Sequence, residues 1–468
     1  MRLFEHLLTV HMLIVMIGLT VYVTSTRSLH LRRHPSAAIA WVVALVLLPY
    51  TSLPLYLIFG IRKVNVYQVA AKPQPLPLTF PHPDSLITQT QQLAAIMSLP
   101  QASAYYQLNL HQDGAQALAA LLKMIDSATH SIDICTFILA RDALGDEIVQ
   151  RLTSRARDGI RVRLLVDGVG VYLGGRHDFK RLSAAGIEVA LFVPPLRSSL
   201  RGRTNLRNHR KLLIVDHTWL WSGGRNLAAE YFAGAPLQTP VTPPWVDLSV
   251  DLQGPLALQA QQLFEQDWHF ATRGAIPDAR NSLPTPMPAG TATGQLIASG
   301  PDQSDDTLYT LLISGFFNAR KHIRAVSPYF VPDPTLLMSL TLAARRGVTL
   351  DLVLPQQSNH RLADIARHQA LRELSAAGAR IWMLPRMIHA KAIVIDDELA
   401  FVGTANLDER SLFLNYELML AIYAATDVAA VARWIEQQRD AALAYQAQPV
   451  NFWRESTEGL LLWLAFQL

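Results

Sequence analysis

Two long apolar runs stand at the start of the chain. Residues 7–23 and 37–60 contain no Asp, Glu, Lys or Arg. Each is near the length a helix needs to cross about 30 Å of hydrocarbon. The first run lacks a clear small-x-small cleavage site and is followed at once by a second, which favours a retained anchor over a removed signal peptide. The pattern predicts a two-helix transmembrane hairpin over residues 1–63, leaving the N-terminus and the large C-terminal body on one side. Trp41, Tyr50 and Tyr56 suit the interfaces, and Arg62 with Lys63 closes the second span. Arg27, Arg32 and Arg33 between the spans offset Arg2, Arg62, Lys63 and Lys72 outside them, so charge does not fix the side. Residues 64–109 read as a linker, with the proline-rich KPQPLPLTFPHP from Lys72 as an extended spacer.

Beyond the linker the pattern changes to short β-branched runs alternating with amphipathic helices such as Ala115–Ala128 and Asp306–Ala319. The pattern also repeats. LSAAG occurs at Leu182–Gly186 and at Leu374–Gly378. Upstream of these, RARDGIRVRLLVDG from Arg155 parallels AARRGVTLDLVLP from Ala343, and ATHSIDICTFIL from Ala128 parallels ARKHIRAVSPYF from Ala319. Alternating helices and strands in two copies predict two similar α/β sandwich lobes with mostly parallel or mixed sheets, at 110–272 and 295–446. Between them, 273–294 is rich in Pro, Gly, Thr and Ala and reads as a connector. The apolar tail at 447–468 is too short to span a bilayer; packing as a final core helix is favoured over lying at the membrane interface.

Late in each lobe stands the same polar signature. The first is His209-Arg210-Lys211, four apolar residues, Asp216, six residues, then Gly223-Gly224-Arg225-Asn226. The second is His389-Ala390-Lys391, four apolar residues, Asp396, six residues, then Gly403-Thr404-Ala405-Asn406. Both run through β-branched stretches (LLIV, AIVI), so on a strand each His and Lys share a face. An imidazole is a good nucleophile near neutral pH, and a phosphoramidate turns over readily. Lys211 and Lys391 would stabilise phosphate oxygens in the transition state, and Asn226 and Asn406 would add donors. Asp216 and Asp396 lie at odd offsets, so they are expected to brace the turns. A nucleophilic histidine needs its other nitrogen held by a carboxylate. Asp247 and Glu417 follow the motifs on strand-like runs expected to pair beside their own lobe's histidine strand. One histidine per lobe implies one shared site, with His209 as nucleophile and His389 as acid–base in the preferred assignment. This chemistry needs no cofactor, and the sequence holds no Cys/His cage, His-Glu-x-x-His string or Walker loop, so no metal is expected.

Composition refines this picture. The chain has 468 residues, enough for two or three domains, and is 50% hydrophobic but only 17% charged. Its mean hydropathy of +0.18 is high for a wholly soluble protein, so part of it belongs in lipid. The net charge of +4 suits an anionic surface or a phosphate-bearing substrate. The single cysteine, Cys135, makes no internal disulfide and sits in an apolar run, as a core residue would.

The paired motifs resemble those of the phospholipase D superfamily across almost the whole chain. SPYFVPD (Ser327–Asp333), GTANLDERS (Gly403–Ser411), NYE (Asn415–Glu417), NHRKLLIVD, GGRNLAAEY (Gly223–Tyr231) and GPLALQAQQLFEQDW (Gly254–Trp268) are similar to cardiolipin synthases in particular. So is LPLYLIFGIRK at the end of the second apolar run. The resemblance implies a bacterial membrane enzyme that converts two phosphatidylglycerol molecules to cardiolipin and glycerol through a phosphatidyl-histidine. It carries over His209, Lys211, Asp216, His389, Lys391 and Asp396 as active-site residues. Gly224 and Thr404 stand where the superfamily has Ser. The motifs alone do not separate this reaction from phospholipid hydrolysis. Phosphatidylglycerol and anionic lipids are the expected partners. Nucleic acid is not expected, since the basic stretch Leu196–Lys211 suits a lipid headgroup equally well.

Overall fold

The computed structural model describes residues 2–28, 35–60, 63, 85–194, 204–232, 243–272, 292–303, 305–447 and 458. Residues 64–84, most of the connector at 273–294 and nearly all of the tail lie outside the described residues, as do residues 195–203 and 233–242.

At the N-terminus, α1 (Arg2–Ser28) is a single long apolar helix, and its stretch Leu8–Ser25 is long and apolar enough to cross a membrane. The second predicted span is not one helix. It divides into α2 (Pro35–Leu47) and α3 (Pro49–Phe59), and among the described residues only α1 has the length to cross alone. The break is at Leu48, whose φ of −131° and ψ of 52° leave the helical region. Pro49 brings no amide hydrogen to an α-helical bond and restricts the residue before it. α1 packs on both shorter helices. A Cβ on Gly18 would lie 3.1 Å from Leu45, and Tyr22, Trp41 and Tyr56 form an aromatic cluster between the helices.

The expected linker contains ordered structure. Its second part holds α4 (Leu86–Ile96), capped by the Ser85 hydroxyl, which accepts from the Ile87 amide. Leu86, Ala94, Met97 and Leu99 pack with Leu308, Leu311 and Leu312 in the second lobe's core. The stretch LITQTQQLAAI carries only a thin apolar stripe, and that stripe is enough because the core it meets is large. Six residues after Met97 the chain becomes β1 (Ser103–His111). The sheet of the first lobe therefore begins before 110.

The first lobe continues with β2 (Ser131–Thr136), β3 (Arg161–Asp167), β4 (Ile187–Phe192), β5 (Leu212–Val215), β6 (Trp219–Gly223) and β7 (Ser249–Gln253). The second lobe holds β8 (Ala292–Ser299), β9 (His322–Val326), β10 (Phe330–Val331), β11 (Thr349–Pro355), β12 (Arg380–Leu384), β13 (Ala392–Ile395), β14 (Leu399–Gly403), β15 (Leu407–Asp408), β16 (Glu417–Ile422) and β17 (Leu443–Ala444). All but β10 and β15, which pair with each other, join one 15-stranded sheet. From its centre outward the order is β1-β7-β6-β5-β2-β3-β4 on one side and β8-β16-β14-β13-β9-β11-β12-β17 on the other. The repeat seen in the sequence is thus a repeat of topology, joined by antiparallel β1–β8 pairing at Ser103–Tyr105. In the first lobe β2, β3 and β4 are parallel neighbours joined through helices, as are β9, β11 and β12 in the second, where antiparallel β17 adds the outer edge, so Ile132, Ile134, Val162 and Leu164 are buried.

One hydrophobic core crosses the seam, combining Tyr105, Leu212, Leu248 and Val250 with Ile388, Ala392, Leu418 and Trp434. An ion cluster crosses it too. Arg210, wholly buried, pairs with Asp267 of its own lobe and with Asp302 of the other at 3.2 Å. It also donates to the carbonyls of Glu417 (3.1 Å) and Ser299 (3.3 Å). Replacing Arg210 by Met would leave Asp267 charged, buried and short of its partner. Arg210→Met is expected to cost about 3–5 kcal/mol, read as a lowered thermal midpoint. Cys135 lies in this core with its thiol against Asn208 Oδ1 (3.5 Å), and burial pushes its pKa up, so it stays protonated.

Candidate active site

Each motif runs as extended chain immediately before its strand, since β5 begins at Leu212 and β13 at Ala392, one residue after each lysine. The alternation of faces still holds. Arg210 points into the inter-lobe ion cluster and Ala390 into the shared core, while each lysine turns back to its histidine. Lys211 Nζ donates to the His209 carbonyl at 2.8 Å. Lys391 Nζ lies 2.9 and 3.0 Å from the two ring nitrogens of His389 and also donates to that residue's carbonyl.

Backbone pairing across the lobes decides which carboxylate meets which histidine. The His209 amide donates to Tyr416 O (2.9 Å), and the Tyr416 amide to Arg207 O (2.8 Å). Symmetrically, the His389 amide donates to Val246 O (2.7 Å), and the Val246 amide to Met387 O (2.9 Å). The next residue on each partner segment is the acid. Glu417 Oε1 is therefore 3.3 Å from His209 Nδ1, and Asp247 Oδ2 accepts from His389 Nδ1 at 2.9 Å. Each carboxylate serves the histidine of the opposite lobe, contrary to the expectation that it serves its own. Within a lobe β6 separates β5 from β7, and β14 separates β13 from β16, so neither acid's strand lies beside its own motif.

The electrostatics join the two halves. Burial pushes His389 down to about 3, helped by Lys391 and opposed by its bond to Asp247. Burial also lowers His209, with Glu417 opposing. Lys391 is pushed down to about 7 by burial, with Asp247 pulling upward and Lys211 downward. Burial would raise Asp247 and Glu417, but the facing histidines and lysines outweigh it, and both acids are held below their usual range. Lys211 of one lobe thus acts on His389 and Lys391 of the other. The result is one largely buried field with two imidazoles held neutral and two lysines whose charged form is disfavoured, which a bound phosphodiester anion would relieve.

Asp216 and Asp396 do not face this field. Asp216 accepts from the amides of Thr129 (2.8 Å), His130 (2.7 Å) and Ser131 (2.8 Å) and from the Thr129 hydroxyl. Asp396 accepts from the amides of Arg320, Lys321 and His322 at 2.7, 2.7 and 2.9 Å. Both sit at positive φ, 50° and 53°, and tie the β5–β6 and β13–β14 turns to the starts of β2 and β9. The asparagines are engaged locally. Asn226 Nδ2 donates to the Tyr231 hydroxyl (2.8 Å) and Asn406 Nδ2 to Ser411 Oγ (3.1 Å). Tyr231 in turn stands edge-on to His389, with ring centroids 5.0 Å apart.

Several site residues escaped the sequence reading. The Phe137 ring lies tilted against His209 with centroids 4.1 Å apart, and the Trp245 ring lies 5.7 Å from His389. Arg225, buried, donates to the Asp247 carbonyl at 2.8 Å and anchors that acid's backbone. The departures at Gly224 and Thr404 prove to be matched to their acids. Thr404 Oγ1 donates to Glu417 Oε2 at 2.6 Å, whereas a Cβ on Gly224 would lie 2.2 Å from Asp247 Oδ1. The lobe with the shorter acid has no side chain at the hydroxyl position, and the carboxylate occupies that space. The signal was present as two differences between the repeats, Gly for Thr and Asp for Glu. Gly224→Ala is expected to displace Asp247, misalign His389 and lower kcat by about 100-fold, checked by kinetics beside a thermal melt.

Comparison with known proteins agrees with this geometry. The family described as "Cardiolipin synthase, PLD-like domain" matches residues 121–268 and 312–439, once in each lobe. A second family, "Phospholipase_D-nuclease N-terminal", matches residues 14–60. The chain is 32% identical over 404 residues to cardiolipin synthase A of Pseudomonas putida (strain W619), covering 83% of each protein. It is 30% identical over 430 residues to cardiolipin synthase A of Pseudomonas aeruginosa (strain LESB58), covering 88% of this chain and 86% of that one. Its fold is similar to the crystal structure of phosphatidylserine synthase from Haemophilus influenzae Rd KW20, with TM-score 0.61 at 15% identity over 81% of this chain and 96% of that one. With both lobes matched and their motifs meeting across one seam, the chain belongs to the cardiolipin synthase family of phospholipase D-like proteins.

Proposed function

We propose that this membrane-associated enzyme transfers a phosphatidyl group from one phosphatidylglycerol to another, giving cardiolipin and glycerol. The observation that carries the reading is the crossed arrangement of the two His–carboxylate pairs, which puts both motifs in one field. With Glu417 on Nδ1, the reactive nitrogen of His209 is Nε2. Nε2 attacks phosphorus, the P–O bond to the headgroup glycerol breaks, and His389 gives that oxygen a proton. The hydroxyl of a second phosphatidylglycerol then attacks the phosphoramidate, the P–N bond breaks, and its proton passes to His389. Protons and phosphoester bonds balance with no water consumed. His389 is held neutral by burial and by Lys391, and the incoming phosphodiester anion, facing both lysines, supports its protonation.

Two features favour His209 as the nucleophile. Its side chain is 23% exposed against 10% for His389, and both ring nitrogens of His389 are crowded by Lys391. In the proposed membrane arrangement α1 crosses, and α2 with α3 forms a broken second apolar segment packed against it. The full chain, incubated with labelled phosphatidylglycerol vesicles, is expected to release glycerol and cardiolipin one to one. Phosphatidic acid as the main product would overturn the choice of acceptor.

A further inference from the structure

Among the described residues, the side chain of Lys63 ties the end of the membrane segment to the catalytic body. α3 closes at Gly60, and Lys63 follows within about 10 Å of chain. Lys63 Nζ meets Asp306 Oδ1 at 2.8 Å, Gln303 O at 3.0 Å and Gly300 O at 3.4 Å. Three oxygen acceptors match the three protons of an ammonium group. The cradle is the loop between β8 and the helix Thr307–Asn318, whose N-cap residue Asp306 makes no side-chain capping bond and turns to Lys63 instead. An isolated surface ion pair would carry little weight. This one is only 20% exposed on the lysine side and draws two backbone carbonyls into the contact.

The cradle is also built against the site. Asp302, in the same loop, pairs with Arg210, the central residue of the first motif. Gly300 is packed so closely on Asn415 and Tyr416 that a Cβ there would lie 3.1 Å from Tyr416 Cα. Tyr416 directly precedes Glu417, the acid that holds His209. The anchor therefore ends on a loop that touches both the motif and the segment delivering its carboxylate.

We infer that Lys63 is a positioning residue that seats the catalytic body at headgroup depth, so that phosphatidylglycerol reaches the histidines without leaving the bilayer. The effect on turnover rests on the phosphatidyltransferase reading, whereas the seating does not. Seating is tested on the full chain in vesicles by a fluorophore on Asp305→Cys, quenched by a spin label on lipid headgroups, with the buried Cys135 left unlabelled. Quenching is expected in the otherwise unchanged chain and with Lys63→Arg, and is expected to fall at least about twofold with Lys63→Met. On vesicle phosphatidylglycerol, Lys63→Met is expected to lose about tenfold in turnover, while monomeric short-chain phosphatidylglycerol is turned over within about twofold of the unchanged protein. Unaltered quenching and unaltered vesicle turnover in Lys63→Met would overturn the inference. So would an equal loss on both substrates, which would mark general damage to the fold. Normal quenching with Lys63 intact, together with a wild-type chain inactive on both substrates, would instead refute the phosphatidyltransferase reading and leave the seating intact.

Discussion

His209→Ala and His389→Ala are each expected to abolish phosphatidyl transfer, by at least about 10,000-fold, while the protein stays folded. Removing His209 takes away the group that bonds to phosphorus. Removing His389 takes away the proton that the departing glycerol oxygen needs. Neither loss strands a buried charge. Without His209, Glu417 keeps the Thr404 hydroxyl at 2.6 Å and Asn415 Nδ2 at 3.2 Å. Without His389, Asp247 keeps the Leu248 amide at 2.7 Å, and the charges of Lys391 and Arg225 remain nearby. The thermal midpoints should therefore stay close to that of the unchanged protein. Because the two rings act on one phosphorus, the double variant should be no worse than either single one. Substantial cardiolipin formation by either single variant would contradict a shared site.

The second large effect concerns the crossed acids. Asp247→Asn and Glu417→Gln keep the shape of each site and remove its charge, and each is expected to lower turnover by about 100- to 10,000-fold. The amide can present the wrong hydrogen-bonding group to Nδ1, and it no longer supports an imidazolium. Asp247 pulls the pKa of His389 upward, so its loss drives that pKa lower still. The form able to donate a proton is then available only at lower pH, and the alkaline limb of the activity profile moves to lower pH for Asp247→Asn. The crossing itself is read from thermal double-mutant cycles. Glu417 should couple to His209 by about 0.5–3 kcal/mol and to His389 by nearly zero, with the reverse for Asp247.

How much of this was legible in the chain depended on distance along it. The duplicated LSAAG, glycine-punctuated strands and His-x-Lys signatures foretold two lobes of one topology, because each is a local pattern set by its own side chains. The odd offset of Asp216 foretold that it would leave its histidine's face, and it meets three amides at the start of β2 instead. Alternation tells which face a residue is on, not which strand lies beside it. For that reason the partners of Asp247 and Glu417 were misread: β6 and β14 intervene, and the seam pairs each motif with the opposite lobe. The same limit hid β1, whose neighbours β7 and β8 lie far along the chain from it. Pro49 was visible inside the second apolar run, yet length and hydropathy alone passed over the break it imposes at Leu48.

The most direct test is to mix the full chain with labelled phosphatidylglycerol, quench in alkali on the turnover timescale, and map the label by mass spectrometry of the His209 and His389 peptides. A single phosphatidyl adduct per chain on His209, absent from His209→Ala, is the expected result. Adducts accumulating independently on both histidines, or steady turnover with no histidine adduct at all, would contradict two imidazoles sharing one phosphorus.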